Sequence, residues 1–129
     1  MNTSLIIANA LIFLTFLVHT FGGDREYKGI EPENTNQSNQ LKWTMGRGAF
    51  HIVSADFLLA TIGITLINFT EYFSEKKLLL NLLAIYFLAY GFAFLITLII
   101  SRKFPNIFIK LWQWLLMFVI AGLIYNGTK

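Results

Sequence analysis

The chain has 129 residues, 56% of them hydrophobic and 13% charged, with a formal net charge of +3 and no cysteine. A soluble globular domain carries about a quarter charged residues, so this balance points to a membrane protein. The lack of cysteine excludes disulfides, thiolate metal sites, iron–sulfur clusters and dithiol redox chemistry, and with no basic run interleaved with aromatics, nucleic acid is not an expected partner.

A helix that crosses a bilayer needs about 20 apolar residues. The first such stretch covers residues 5–21. No Lys or Arg precedes it, and His19-Thr20-Phe21 lacks a small-residue cleavage pattern, so it is expected to be a helix and not a signal peptide. Residues 22–48 read as a polar loop with Asp24, Arg25, Glu26, Lys28, Glu31, Glu33 and an Asn/Gln/Ser run at 34–40. The second stretch covers 49–69, the third 78–100 and the fourth 105–125, with Pro105 placed for a first helical turn. The connections at 70–77 and 101–104 are short, as between adjacent antiparallel helices. None of the stretches shows the alternation of a membrane β-barrel. The expected fold is therefore all-α: a single-domain, four-transmembrane-helix antiparallel bundle spanning residues 1–129 in a lipid bilayer. So small a chain buries little within itself, which implies a homo-oligomer or a membrane protein partner.

Trp43, Trp112 and Trp114 fall near one interface, and Tyr72 and Tyr125 near the other. Arg25, Lys28, Lys42, Arg47, Arg102 and Lys103 lie on the side of the first and third loops, against Lys76, Lys77 and Lys129 on the opposite side. The positive-inside rule then puts both termini outside. The Asn-x-Ser/Thr sequons at Asn2, Asn36, Asn68 and Asn126 are read as chance in an Asn-rich chain. Asn9, Thr15 and Asn81 are expected to bond between helices, and Thr61, Thr65 and Thr97 to their own backbone carbonyls.

Polar groups within apolar spans call for a partner or a role. The two histidines, His19 and His51, close the first span and open the second, which places them at similar depth on the loop-one side. Arg47 lies one turn before His51 and shares its face, and Ser54 lies about one turn beyond. Asp56, the only acid inside a span, points roughly 140° away from His51 on an ideal helix. Gly22 and Gly23 allow a positive-φ turn that folds Asp24 or Glu26 back over His19. His19, His51, Asp24, Glu26 and Asp56 would then suit a divalent transition metal, although no HxxH, HxxxH or ExxH spacing is present. Alternatively, His19 and His51 could hold haem b, with Arg25, Arg47 and Tyr27 near its propionates. A further alternative is proton or ion handling at Asp56. Structural hydrogen bonding inside the bundle is the plain reading of the same residues. No phosphate loop, Ser/His/Asp set or zincin motif is present.

The stretch His19-Thr20-Phe21-Gly22-Gly23, then Trp43, then Phe50-His51-Ile52-Val53-Ser54 resembles a pattern in small bacterial four-helix membrane proteins of unknown function. In these a His–Gly–Gly turn ends the first span, and an aromatic-His pair with a small hydroxyl residue opens the second. The resemblance covers mainly the first half of the chain, and the loop at 28–40 is longer and more acidic here. It implies a bacterial plasma (inner) membrane location and four spans, and no activity. The expected function is a non-enzymatic membrane protein whose site of His19, His51, Arg47 and Asp56 binds a cation or a partner. A haem- or metal-binding redox protein and a structural subunit of a larger complex are the alternatives.

Overall fold

In the computed structural model, residues 1–33, 36–101 and 105–129 are described, and they form helices and no strand. Three helices are long and apolar enough to cross a membrane: Thr3–Lys28, Gln37–Phe69 and Lys76–Ile100. The first is composite. It begins as α1 (Thr3–Leu17), passes through a π-helical turn (Val18–Gly23) and ends as α2 (Asp24–Lys28). The side chain of Asn2 caps its start, Oδ1 accepting from the backbone N–H of Ser4 at 2.9 Å and of Leu5 at 3.4 Å. The Thr15 hydroxyl donates to its own helix at the Leu11 carbonyl, 2.7 Å away, and not to a neighbouring helix as expected.

The expected turn at Gly22-Gly23 does not form. No glycine among the described residues has positive φ, and Gly23 is helical at φ −65°, ψ −39°. Residues 22–28 therefore extend the helix, and most of the expected polar loop is helical as well. The long helix α3 (Gln37–Phe69) starts twelve residues before the expected residue 49. Asn36 supplies its N-cap, with Oδ1 accepting from the Asn39 N–H at 3.1 Å, and no proline interrupts the polar turns that follow. Its 33 residues reach about 50 Å, well beyond the roughly 30 Å of a hydrocarbon core. Asn34 of the expected Asn/Gln/Ser run lies outside the described residues, as do Arg102 and Lys103 of the charge count.

The third helix, α4 (Lys76–Ile100), agrees with the expected 78–100. The fourth stretch does not form one helix. It divides into α5 (Ile107–Lys110) and α6 (Gln113–Asn126), with Leu111 between them at φ −117°, ψ 65°. The indole Nε1 of Trp114 donates to the Phe108 carbonyl at 3.2 Å, supplying a partner at the break. Pro105 precedes the left-handed Asn106 (φ 59°) and does not open a helix. At 14 residues, α6 alone reaches about 21 Å, short of a span.

The residues pack as two compact units, Asn9–Gly63 and Met1–Ala8 with Ile64–Lys129. In the first, contacts between the end of the first helix and the beginning of α3 run antiparallel: His19 meets Ser54, Gly23 meets Phe50, and Tyr27 meets Trp43. In the second, α4 packs antiparallel against α6, with Phe118 against Gly91 and Phe92. Leu80, Ala84, Phe87 and Leu98 of α4 and Met117, Ile120, Ala121 and Ile124 of α6 are buried. The same unit joins three helix ends, the start of α1 and the ends of α3 and α6. The backbone N–H of Asn2 donates to Asn68 Oδ1 at 2.8 Å, and Asn126 Nδ2 donates to Ser4 Oγ at 2.8 Å.

Candidate functional site

The polar residues singled out in the first half of the chain meet in the Asn9–Gly63 unit. His19 sits in the π-helical turn, a geometry with one more residue per turn than an α-helix and frequent at functional positions. Its Nδ1 pairs with Ser54 Oγ at 2.9 Å, and Ser54 is only 4% exposed. The imidazole stacks on Phe50, centroids 3.7 Å apart and planes 10° off parallel, and the Phe57 ring meets it edge-on at 5.5 Å. Gly23 makes room for this stack, since a Cβ there would run into the Phe50 ring. The glycine is thus required for close approach and not for a turn. Thr20, in the same turn, has a buried hydroxyl oxygen with no hydrogen-bond partner among the described residues.

One turn farther out, Asp24 gathers three donors. Its Oδ1 accepts from Arg47 Nε at 2.8 Å and from His51 Nε2 at 3.0 Å. Its Oδ2 accepts from Arg47 Nη2 at 3.1 Å and lies 3.3 Å from Lys28 Nζ. Donors on both oxygens favour the ionised carboxylate. An ionised carboxylate only accepts, so Nε2 of His51 carries the proton. The Arg47–Asp24 pair is a two-point fork, the geometry that fixes a guanidinium in orientation as well as place. The Arg47 guanidinium also lies 5.2 Å from the Trp43 ring centroid, and Trp43 Nε1 donates to the Tyr27 carbonyl at 3.2 Å. Glu31 adds a longer-range attraction to Arg47. Gly46 leaves space for the Tyr27 hydroxyl, which a Cβ there would meet.

His19, His51, Arg47 and Ser54 thus lie in one neighbourhood, as their spacing implies. The acceptor for both Arg47 and His51 is Asp24. Asp56 is half-buried farther along α3. Glu26 is exposed on α2. Among the described residues no three His, Asp or Glu side chains form a group able to hold a metal ion, so the proposed set of His19, His51, Asp24, Glu26 and Asp56 is not assembled. For haem, each imidazole keeps one ring nitrogen outside these bonds, and the Phe50 ring neighbours both histidines.

Lys28 and Phe57 are members of the site that the sequence does not single out, and Tyr27 joins it through Trp43 and Phe50 and not as a propionate contact. Asp24 and Lys28 are four residues apart, an ion-pair spacing once the segment is known to be helical. The Tyr27 and Phe57 contacts left no comparable signal, because they depend on how the first helix meets α3.

No family model, curated protein or solved structure matches the chain.

Proposed function

We propose that this chain is a four-crossing, non-enzymatic integral membrane protein whose loop-one site receives an acidic side chain from a protein partner in the same membrane. The observation that carries this reading is the occupancy of Asp24. Its two oxygens already take Arg47, His51 and Lys28, so it offers little to an external cation. Among the direct contacts Arg47 and Lys28 outnumber that one carboxylate, and Glu31 acts on Arg47 only at longer range. Arg47 gives Nε and Nη2 to Asp24, which directs its remaining Nη1 donors toward a second acceptor. The side chains of Arg47 and His51 are 28% and 43% exposed, so a partner can reach them.

Two features support a fourth crossing. The helical residues of α5 and α6 have about 27 Å of rise between them. Asn126 ends beside Ser4, at the start of α1, and Asn2 bonds Asn68 at the end of α3. The resemblance to small bacterial four-helix membrane proteins adds a plasma-membrane location. The loop charges add an orientation with both termini outside. A single Cys introduced at Ser38 should then resist a membrane-impermeant reagent in intact cells, while one at the C-terminus labels. The reverse pattern overturns the orientation.

The partner reading is tested with a photo-crosslinking residue at Thr44, which is exposed on α3 near Arg47. A discrete adduct in membranes that disappears in Arg47→Gln, with helicity retained, is the expected result. No adduct, or an adduct indifferent to Arg47→Gln, overturns it.

A further inference from the structure

The α4–α6 pair carries an open groove of about 560 Å³, within the range of small-molecule sites. Its floor is Ala84, Ala121 and Gly122, and its walls include Ile85, Leu88 and Phe118. Gly122 is informative because nothing lies within 4 Å of where its Cβ would stand. Unlike Gly91, which admits the Phe118 ring, Gly122 faces open space among the described residues and leaves the groove hollow.

The groove is polar at one end only. Asn81 and Tyr125 line that end. Lys129 Nζ lies 5.5 Å from the Tyr125 ring centroid, and Lys77 stands one turn before Asn81 on the same face of α4. Lys76 is already paired with Glu71 at 2.9 Å, whereas Lys77 is exposed. An apolar trough whose two polar lining residues each have a lysine close by has the layout of one molecule type: an alkyl chain with an anionic head.

We infer that the α4–α6 groove seats an acyl chain of an anionic phospholipid, with its phosphate held between Lys77 and Lys129. The inference rests on membrane insertion, which resistance to alkaline extraction tests separately from lipid binding. A basic residue near a bilayer surface favours an anionic lipid by roughly fivefold. Native mass spectrometry of the detergent-purified chain, with phosphatidylglycerol and phosphatidylcholine of identical acyl chains, reads the preference directly. Wild type should retain phosphatidylglycerol at least severalfold over phosphatidylcholine. Lys77→Gln with Lys129→Gln should bring the two lipids level without disturbing the helix pair. Gly122→Leu should fill the groove and lose both lipids, and Gly122→Ala, whose Cβ meets nothing, should weaken them in a chain that still folds. Equal retention of both lipids by wild type overturns the inference, as does a folded Gly122→Ala or Gly122→Leu chain that binds as wild type does. A dimer that Gly122→Leu dissociates while lipid retention stays unchanged assigns the groove to a second copy and also overturns it.

Discussion

The contact between His19 and Ser54 is a hydrogen bond whose worth a double-mutant cycle can isolate. Ser54→Ala removes a bond with a net value of about 0.5–1.5 kcal/mol and leaves His19 Nδ1 without its 2.9 Å partner. His19→Phe keeps a flat ring against Phe50 but strands the Ser54 hydroxyl, which is 4% exposed, at a cost of about 1–3 kcal/mol. The hydroxyl can turn back to a carbonyl of its own helix, which pulls that cost toward the lower end. In the double variant neither polar group remains, so its loss should be close to that of one single variant. The expected coupling is about 1 kcal/mol, or roughly fivefold in the folding equilibrium. Equilibrium unfolding in mixed dodecylmaltoside and dodecyl sulfate micelles, followed by helicity, measures all four forms. Losses that add to within about 0.3 kcal/mol would show that the two side chains are neighbours without an energetic bond.

The glycines on the two sides of the same contact should respond unequally. Gly23→Ala drives a methyl into the Phe50 ring that stacks on His19, and should cost about 1–3 kcal/mol in the same unfolding assay. Gly46→Ala meets the tip of Tyr27, which can swing aside, and should cost less. A larger loss at Gly46 than at Gly23 would contradict the packing described for Phe50. Glu31→Gln removes an acid that attracts Arg47 and competes with an incoming carboxylate, so the yield of the Thr44 adduct should rise. A fall in yield would instead make Glu31 part of the docking surface.

The sequence displayed the apolar stretches well and the helix ends poorly, for a physical reason. Hydropathy reports which residues lipid can solvate, and α3 runs as a helix for twelve residues of mixed, largely polar character before its continuous apolar stretch begins. The Asn36 cap was a visible signal for the true start, but it stood in a run of similar residues. Gly22-Gly23 was ambiguous because glycine serves both turns and close approaches, and only the position of Phe50 decides between them. The break before α6 depends on an indole reaching a carbonyl six residues back, which no periodicity encodes. The shared neighbourhood of His19, Arg47, His51 and Ser54 was legible because one loop joins two antiparallel helices. The role of Asp24 as acceptor for Arg47 and His51 was not, since it depends on the rotation of the residues beyond the glycines.

That rotation is set by the π-helical turn. A π turn holds one residue more than an α turn, and each residue of an α-helix advances the chain by about 100°. The segment Val18–Gly23 therefore acts as a phase shifter between α1 and α2. Removing a single residue there, Thr20 for example, would let the helix relax to α geometry with its apolar length nearly unchanged. Asp24 would then keep nearly its present bearing toward Arg47 and His51, because five residues in α geometry turn the chain about as far as six in the wider turn.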